Sequence, residues 1–115
     1  MNNPYFDLMK QWCDRLLDFQ VKGMGDDRLD GGLLCPACTR MHGRSADVIY
    51  PLLTVAEYTG DSKYIEAAKA LYKWTELNFK LPNGGYTNDR DSFWFGISAF
   101  YQVALCEALL YHGHL

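Results

Sequence analysis

The sequence has no basic face. Eleven Lys and Arg stand against fourteen Asp and Glu, giving a formal net charge of -3, and only Arg40 and Arg44 lie close together in a chemically rich segment. Binding a phosphate backbone needs a positively charged stripe, so nucleic acid is excluded as a partner. Long apolar runs are missing too: the most hydrophobic stretch, residues 93–111, is interrupted by Gln102 and Glu107, which argues against a membrane span. The opening MNNPYFDLMKQWCDRLLDF becomes amphipathic and charged at once. It shows no basic start, apolar stretch and cleavage site of an export signal, so the cytoplasm is the default expectation. No strand alternation occurs, and Gly84, Gly85, Tyr86 and Thr87 allow at most a short extended turn. Cysteine is sparse, with four residues, and in an intracellular chain these are expected as thiols or metal ligands rather than a disulfide framework.

What is present describes one helical domain, residues 1–115. With 49% hydrophobic and 15% aromatic residues the chain has a globular composition. At this length a domain buries roughly two-thirds of its unfolded surface and needs no disulfides to fold. Helical spacing of Tyr5, Leu8, Met9, Trp12, Leu16, Leu17 and Phe19 after Pro4 predicts a first helix over about residues 3–21, ended by Gly23 and Gly25. A second is expected from a cap near Ser45, with Pro51 kinking it or falling in its first turns, to a left-handed Gly60. A third follows from Asp61 or Ser62, turns Tyr64, Ala67, Ala68, Leu71, Tyr72 and Trp74 inward, and stops before Pro82. Helices two and three then form a tight antiparallel hairpin. The fourth, residues 93–111, is apolar nearly all round and is therefore expected to be buried on most sides. The fold class is all-α, built of antiparallel helical hairpins with about four helices. If the helices alternate in direction, the long connections 22–43 and 81–92 meet at one end, away from the turn at residues 59–62.

Three stretches carry a family resemblance. Ala56-Glu57-Tyr58-Thr59-Gly60-Asp61-Ser62-Lys63-Tyr64-Ile65-Glu66-Ala67-Ala68 resembles the inter-helix turn of the six-hairpin (α/α)6 toroid found in glycoside hydrolases and polysaccharide lyases. Pro82-Asn83-Gly84-Gly85-Tyr86, followed by a Trp-containing helix start, resembles the loop of the next hairpin, and Cys-Pro-Ala-Cys-x-Arg-x-His-Gly-Arg at residues 35–44 resembles a segment of bacterial members of that group. The resemblance implies part of a carbohydrate-active enzyme acting on polysaccharide or oligosaccharide by lyase or hydrolase chemistry. A full toroid has six hairpins, so the expected partners are the remaining toroid helices or a second copy of the chain.

The chemistry concentrates in the connections. Cys35, Cys38 and His42 have the spacing Cys-x2-Cys-x3-His, which directs two sulfurs and an imidazole at one point. Zinc is the candidate cofactor, with Asp30, Asp47, a residue of loop 81–92 or water in the fourth position. Thiol redox chemistry is the second reading of the CxxC pair, and plain packing of both cysteines the third. The resemblance to uronic-acid lyases implies a cation for the substrate carboxylate, Arg40 or Arg44, and a base for the adjacent proton, His42 or Tyr86. His42 cannot serve as both ligand and free base, and Arg44 has an alternative role in pairing with Asp47. Asn88, Asp89, Arg90 and Asp91 form a polar run in which Asp89 or Asp91 suits a glycosidase carboxyl group. Asn88 would contact sugar there, with Trp94 as a stacking platform. Cys13 and Cys106 read as small core hydrophobes, Glu107 as an exposed residue, and His112 and His114 as solvent-facing. The rival to an enzyme fragment is a small non-enzymatic, zinc-stabilised helical module that docks on a partner.

Overall fold

Four helices in chain order account for most of the computed structural model, which describes residues 3–89 and 94–115: α1 Pro4–Asp18, α2 Ile49–Thr59, α3 Ser62–Phe79 and α4 Ile97–His112. No extended strand occurs among the described residues, only isolated bridges pairing Gln20 with Leu33, Leu34 with Met41 and Lys80 with Tyr86. No helix among them is long and apolar enough to cross a membrane. The all-α expectation therefore holds.

Local chemistry explains where each helix begins and stops. Asn3 caps α1, its Oδ1 accepting from the amides of Tyr5 and Phe6 at 3.0 and 3.3 Å, and Pro4 occupies the first turn, where its missing N–H costs nothing. The helix ends at Asp18, earlier than periodicity predicts, because Gln20 leaves it to donate to the carbonyls of Gly31 and Ala67, both at 3.0 Å. Ser45 does not cap α2. Its hydroxyl donates to His42 O at 2.7 Å, residues Gly43–Val48 wind as a 3-10 turn, and α2 starts at Ile49 with Pro51 in its first turn. Gly60 closes α2 with φ +70°, and Asp61 caps α3 by accepting from Lys63 N at 3.0 Å. Together they make the tight hairpin of α2 on α3.

The core lies where α2 meets α3 and α4, with α1 packed on α2. Trp74, Tyr64, Tyr101, Leu52, Leu71 and Ile97 are its largest fully buried side chains. Tyr72 of α3 is half exposed rather than inward. The start of α4 also shifts, to Ile97, with Trp94 and Phe95 ahead of it and Phe93 outside the described residues. Its expected burial on most sides is corrected: Ile97, Tyr101, Ala104, Ala108 and His112 form a single buried stripe, whereas Val103, Leu109, Leu110 and Tyr111 stand more than half exposed. Cys106 is likewise exposed, although Cys13 is buried as expected. His112 is buried, its Nδ1 held by the Glu57 carboxylate and its Nε2 2.8 Å from Thr54 Oγ1, while the exposed His114 pairs with Glu57 at 3.0 Å.

Three buried acids should make the fold sensitive to alkali. Burial pushes the Cys13 thiol up to about 11, the Tyr86 phenol up to about 12 and the Tyr101 phenol higher still. Each raised value means that the neutral form is favoured by the fold. The stability is fully present below the unfolded values of 9.0 for the thiol and 10.0 for the phenols, and is lost as pH rises through the folded ones. Far-UV circular dichroism against pH should show cooperative loss of helix between about pH 10 and 12, together with phenolate absorbance. Helix that survives intact beyond about pH 12 would contradict this.

A candidate metal centre beside a groove

Residues 34–41 form a small closed loop that presents the two thiols. Leu34 bridges Met41, Cys35 N donates to Arg40 O at 2.8 Å, and Thr39 N donates to Cys35 O at 2.9 Å. The backbone amides of Cys38 and Ala37 point back at the Cys35 sulfur and hold its thiol below the ordinary range, favouring the thiolate that binds metal. Closing the loop puts Thr39 in the left-handed region, φ +56°, at a cost of about 1–2 kcal/mol for a side chain with a β-carbon. Glycine relieves that strain but loses about 0.5–1 kcal/mol to its freer unfolded chain. Thr39→Gly should therefore stabilise the fold by up to about 1 kcal/mol, read as a higher denaturant midpoint. A lower midpoint would show that the 2.7 Å bond from Thr39 Oγ1 to Cys38 O outweighs the strain.

The three predicted ligands converge. One ligand atom from each of Cys35, Cys38 and His42 lies within 4.8 Å of the others, a group that could hold a metal ion. His42 Nε2 is 2.9 Å from Cys38 Sγ, and His42 Nδ1 is 2.8 Å from Asp89 Oδ1. A carboxylate only accepts, so this contact places the imidazole proton on Nδ1 and leaves the Nε2 lone pair facing the thiols. Asp89 is thus hydrogen-bonded to the imidazole of His42. Asp30 and Asp47 do not reach the cluster. Asp30 accepts from the amides of Met24, Gly25 and Asp26, and Asp47 is bound by Arg44.

The other predicted site residues are distributed differently. Arg44 donates through Nε and Nη2 to Asp47 at 3.0 and 2.9 Å and lies 4.0 Å over the Phe100 ring, so it is held in an ion pair at the start of the 3-10 turn. Asn88 serves the backbone: its Oδ1 accepts from Arg44 N and its carbonyl from Gly43 N, both at 2.8 Å. Tyr86 is buried, its ring edge-on to Tyr101 and its hydroxyl donating to Glu76 at 2.8 Å, so its phenol engages Glu76 rather than His42. Trp94 is half exposed and tilted toward Phe100. Arg90 and Asp91 lie outside the described residues.

Arg40 stands on the rim of a groove. A cavity of about 820 Å³ runs between residues 26–29, residues 34–41 and the C-terminal half of α3, and is lined by Arg28, Arg40, Trp74, Asn78, Phe79 and Asp89 among others. Trp74 Nε1 donates to Arg28 O at 3.0 Å and Asn78 Nδ2 to Asp27 O at 2.9 Å, which pins the wall of the groove to α3. Sequence reading turned Trp74 inward as a core residue but assigned neither it nor Asn78 to a groove. The signal for Asn78 is its position four residues after Trp74, which places a polar amide on an inward helical face.

The family model for the ulvan lyase N-terminal domain matches residues 9–115. The chain belongs to the ulvan lyase N-terminal domain family. A broad-specificity ulvan lyase of Formosa agariphila is 42% identical over 110 residues, which is 95% of this chain and 17% of that protein. This member of the family thus spans about a sixth of the relative's length. No solved structure matches. In the ulvan lyase N-terminal domain seen here, then, the thiol loop, His42 and the groove lie within the matched region, as do all four helices except the first residues of α1.

Proposed function

We propose that this chain is the N-terminal helical part of a polysaccharide lyase of the six-hairpin toroid type, acting on an acidic polysaccharide. The observation that carries the reading is the family match over nearly the whole chain, joined to a lyase relative. The groove supports it, since Arg40 is an exposed cation at the rim of a cavity with an aromatic wall. Cleavage by elimination requires neutralising the substrate carboxylate so that the adjacent carbon gives up its proton, and a guanidinium does this through paired N–H donors. Arg40 takes that role. Arg44, Asn88 and Tyr86 hold the surrounding structure through Asp47, the 43–44 backbone and Glu76. Trp94, beside Phe100, offers a ring face to sugar at the surface near Arg44.

His42 serves the metal rather than the substrate in this reading, because its two nitrogens face Cys38 and Asp89. The proton-abstracting base then belongs to the part of the lyase outside residues 1–115. Two sulfurs and an imidazole are soft and borderline donors, so the ion expected at the cluster is zinc. The bare apolar side of α4 and the exposed Tyr5 and Trp12 of α1 are suited to cover by the further helices of a longer toroid.

The test is formation of unsaturated uronate, followed by ultraviolet absorbance, when the full-length lyase containing this chain is given ulvan and other acidic polysaccharides. Arg40→Ala should lower kcat/KM about tenfold or more, through kcat as well as KM, the loss of one charge-assisted contact that strengthens as the proton leaves. No unsaturated product from a folded full-length protein on any acidic polysaccharide would overturn the reading.

A further inference from the structure

The contact of His42 with Asp89 joins residues 47 positions apart, and it does so at the one ring nitrogen that faces away from the thiols. The same two segments are also bound through their backbones, with Gly43 N donating to Asn88 O and Arg44 N to Asn88 Oδ1. They approach so closely that a β-carbon on Gly43 would lie 2.7 Å from Thr87 O. Asp89 is in addition part of the groove lining, so one carboxylate touches both the ligand cluster and the cavity.

Resting on the zinc reading above, we infer that Asp89 is the outer-shell positioning residue of a Cys35, Cys38 and His42 centre. The ion then staples the thiol loop to the loop 80–89 at the end of the groove. The imidazole geometry carries this. A metal on Nε2 leaves Nδ1–H on the opposite side of the ring, where Asp89 already sits, so Asp89 orients the ring and raises its basicity but cannot also ligate. Only three protein ligands come from the described residues, and the fourth position of a tetrahedral ion opens to water or to a group of the polysaccharide. Loading the ion therefore fixes where Asp89 stands in the groove. Sequence spacing pointed to the three ligands, but not to this link between metal and cavity.

The experiment uses zinc as the probe, with affinity measured by competition against a chromophoric chelator for the wild type, Cys35→Ser, Asp89→Ala and Asp89→Asn. The wild type should bind one zinc per chain and Cys35→Ser should lose it. Asp89→Ala should keep the stoichiometry and the sulfur-to-cobalt charge-transfer band on cobalt substitution, with affinity lower by about 10- to 100-fold, and Asp89→Asn should fall between. Hydrogen exchange supplies a readout that a general loss of structure would not give. Zinc should slow amides in both 34–44 and 80–89 in the wild type, but only those in 34–44 in Asp89→Ala. A wild type that binds no zinc, or that carries a Cys35–Cys38 disulfide instead, overturns the zinc reading and the inference with it. Zinc binding that is equally tight in all Asp89 variants, with unchanged protection of 80–89, overturns the inference alone.

Discussion

Replacing Trp74 by alanine should cost about 3–5 kcal/mol of unfolding free energy, the range for truncating a fully buried aromatic side chain. Trp74 is 1% exposed, packs edge-on against Phe79 with centroids 5.0 Å apart, and donates from Nε1 to Arg28 O at 3.0 Å. Its six-membered ring also lies against Gly32, where a β-carbon would come within 2.6 Å of it. Truncation thus leaves a cavity, orphans a carbonyl, and loosens the segment that leads into Cys35. Domains of this size have roughly 5–15 kcal/mol of stability to lose, so the variant should be near unfolding at physiological temperature. Trp74→Phe keeps most of the burial and loses the hydrogen bond, and should cost about 1–2 kcal/mol. Urea titration followed by circular dichroism measures both. Equal midpoints for Trp74→Ala and wild type would mean that the segment 26–34 does not pack on α3 as described.

Gly31→Ala should be the next most damaging change, at about 2–4 kcal/mol, combining a left-handed backbone with overpacking. Gly31 has φ +95°, and a β-carbon there would lie 2.3 Å from the carbonyl oxygen of Ala70. That oxygen is helix backbone, so it cannot move aside as a side chain would. The position is also tied down, its N–H donating to Val21 O at 2.8 Å and its carbonyl accepting from Gln20. Forcing residues 30–33 away from α3 would pull on Leu34 and Cys35, so Gly31→Ala should also weaken the proposed binding of zinc. Gly23→Ala is the control: it carries a similar backbone strain, with φ +70°, but has nothing within 4 Å of the added carbon. It should cost only about 1–2 kcal/mol and leave metal affinity unchanged.

Much of the helical layout was legible in the sequence because it is written in neighbours. The Gly60 stop read correctly, and the structure chose Asp61 from the two expected caps, Asp61 or Ser62, since each depends on a few residues around one turn. The approach of Cys35, Cys38 and His42 was legible as well, because the eight residues from Cys35 to His42 can hardly separate them. The errors have a common origin. Helix one was read too long because Phe19 keeps the apolar period while Gln20 is drawn off by carbonyls of Gly31 and Ala67. Apolarity around α4 was taken for burial, yet the described residues cover only one stripe of it. His112 was placed in solvent because proximity to the chain end says nothing about Glu57 and Thr54, more than fifty positions earlier.

By itself the sequence determined the helical class, the hairpin of α2 and α3, the ligand spacing and the absence of a basic face, all properties of composition or of contacts within a turn or two. Only the tertiary structure decided that Asp89 backs His42, that Asp47 holds Arg44, that Glu76 takes the Tyr86 hydroxyl, and that Arg40 lines a groove. The physical reason is that a side chain's partner across the core depends on how the helices pack and where the loops between them come to rest. Those are set by the summed burial of many distant residues, and no local pattern in the chain records them.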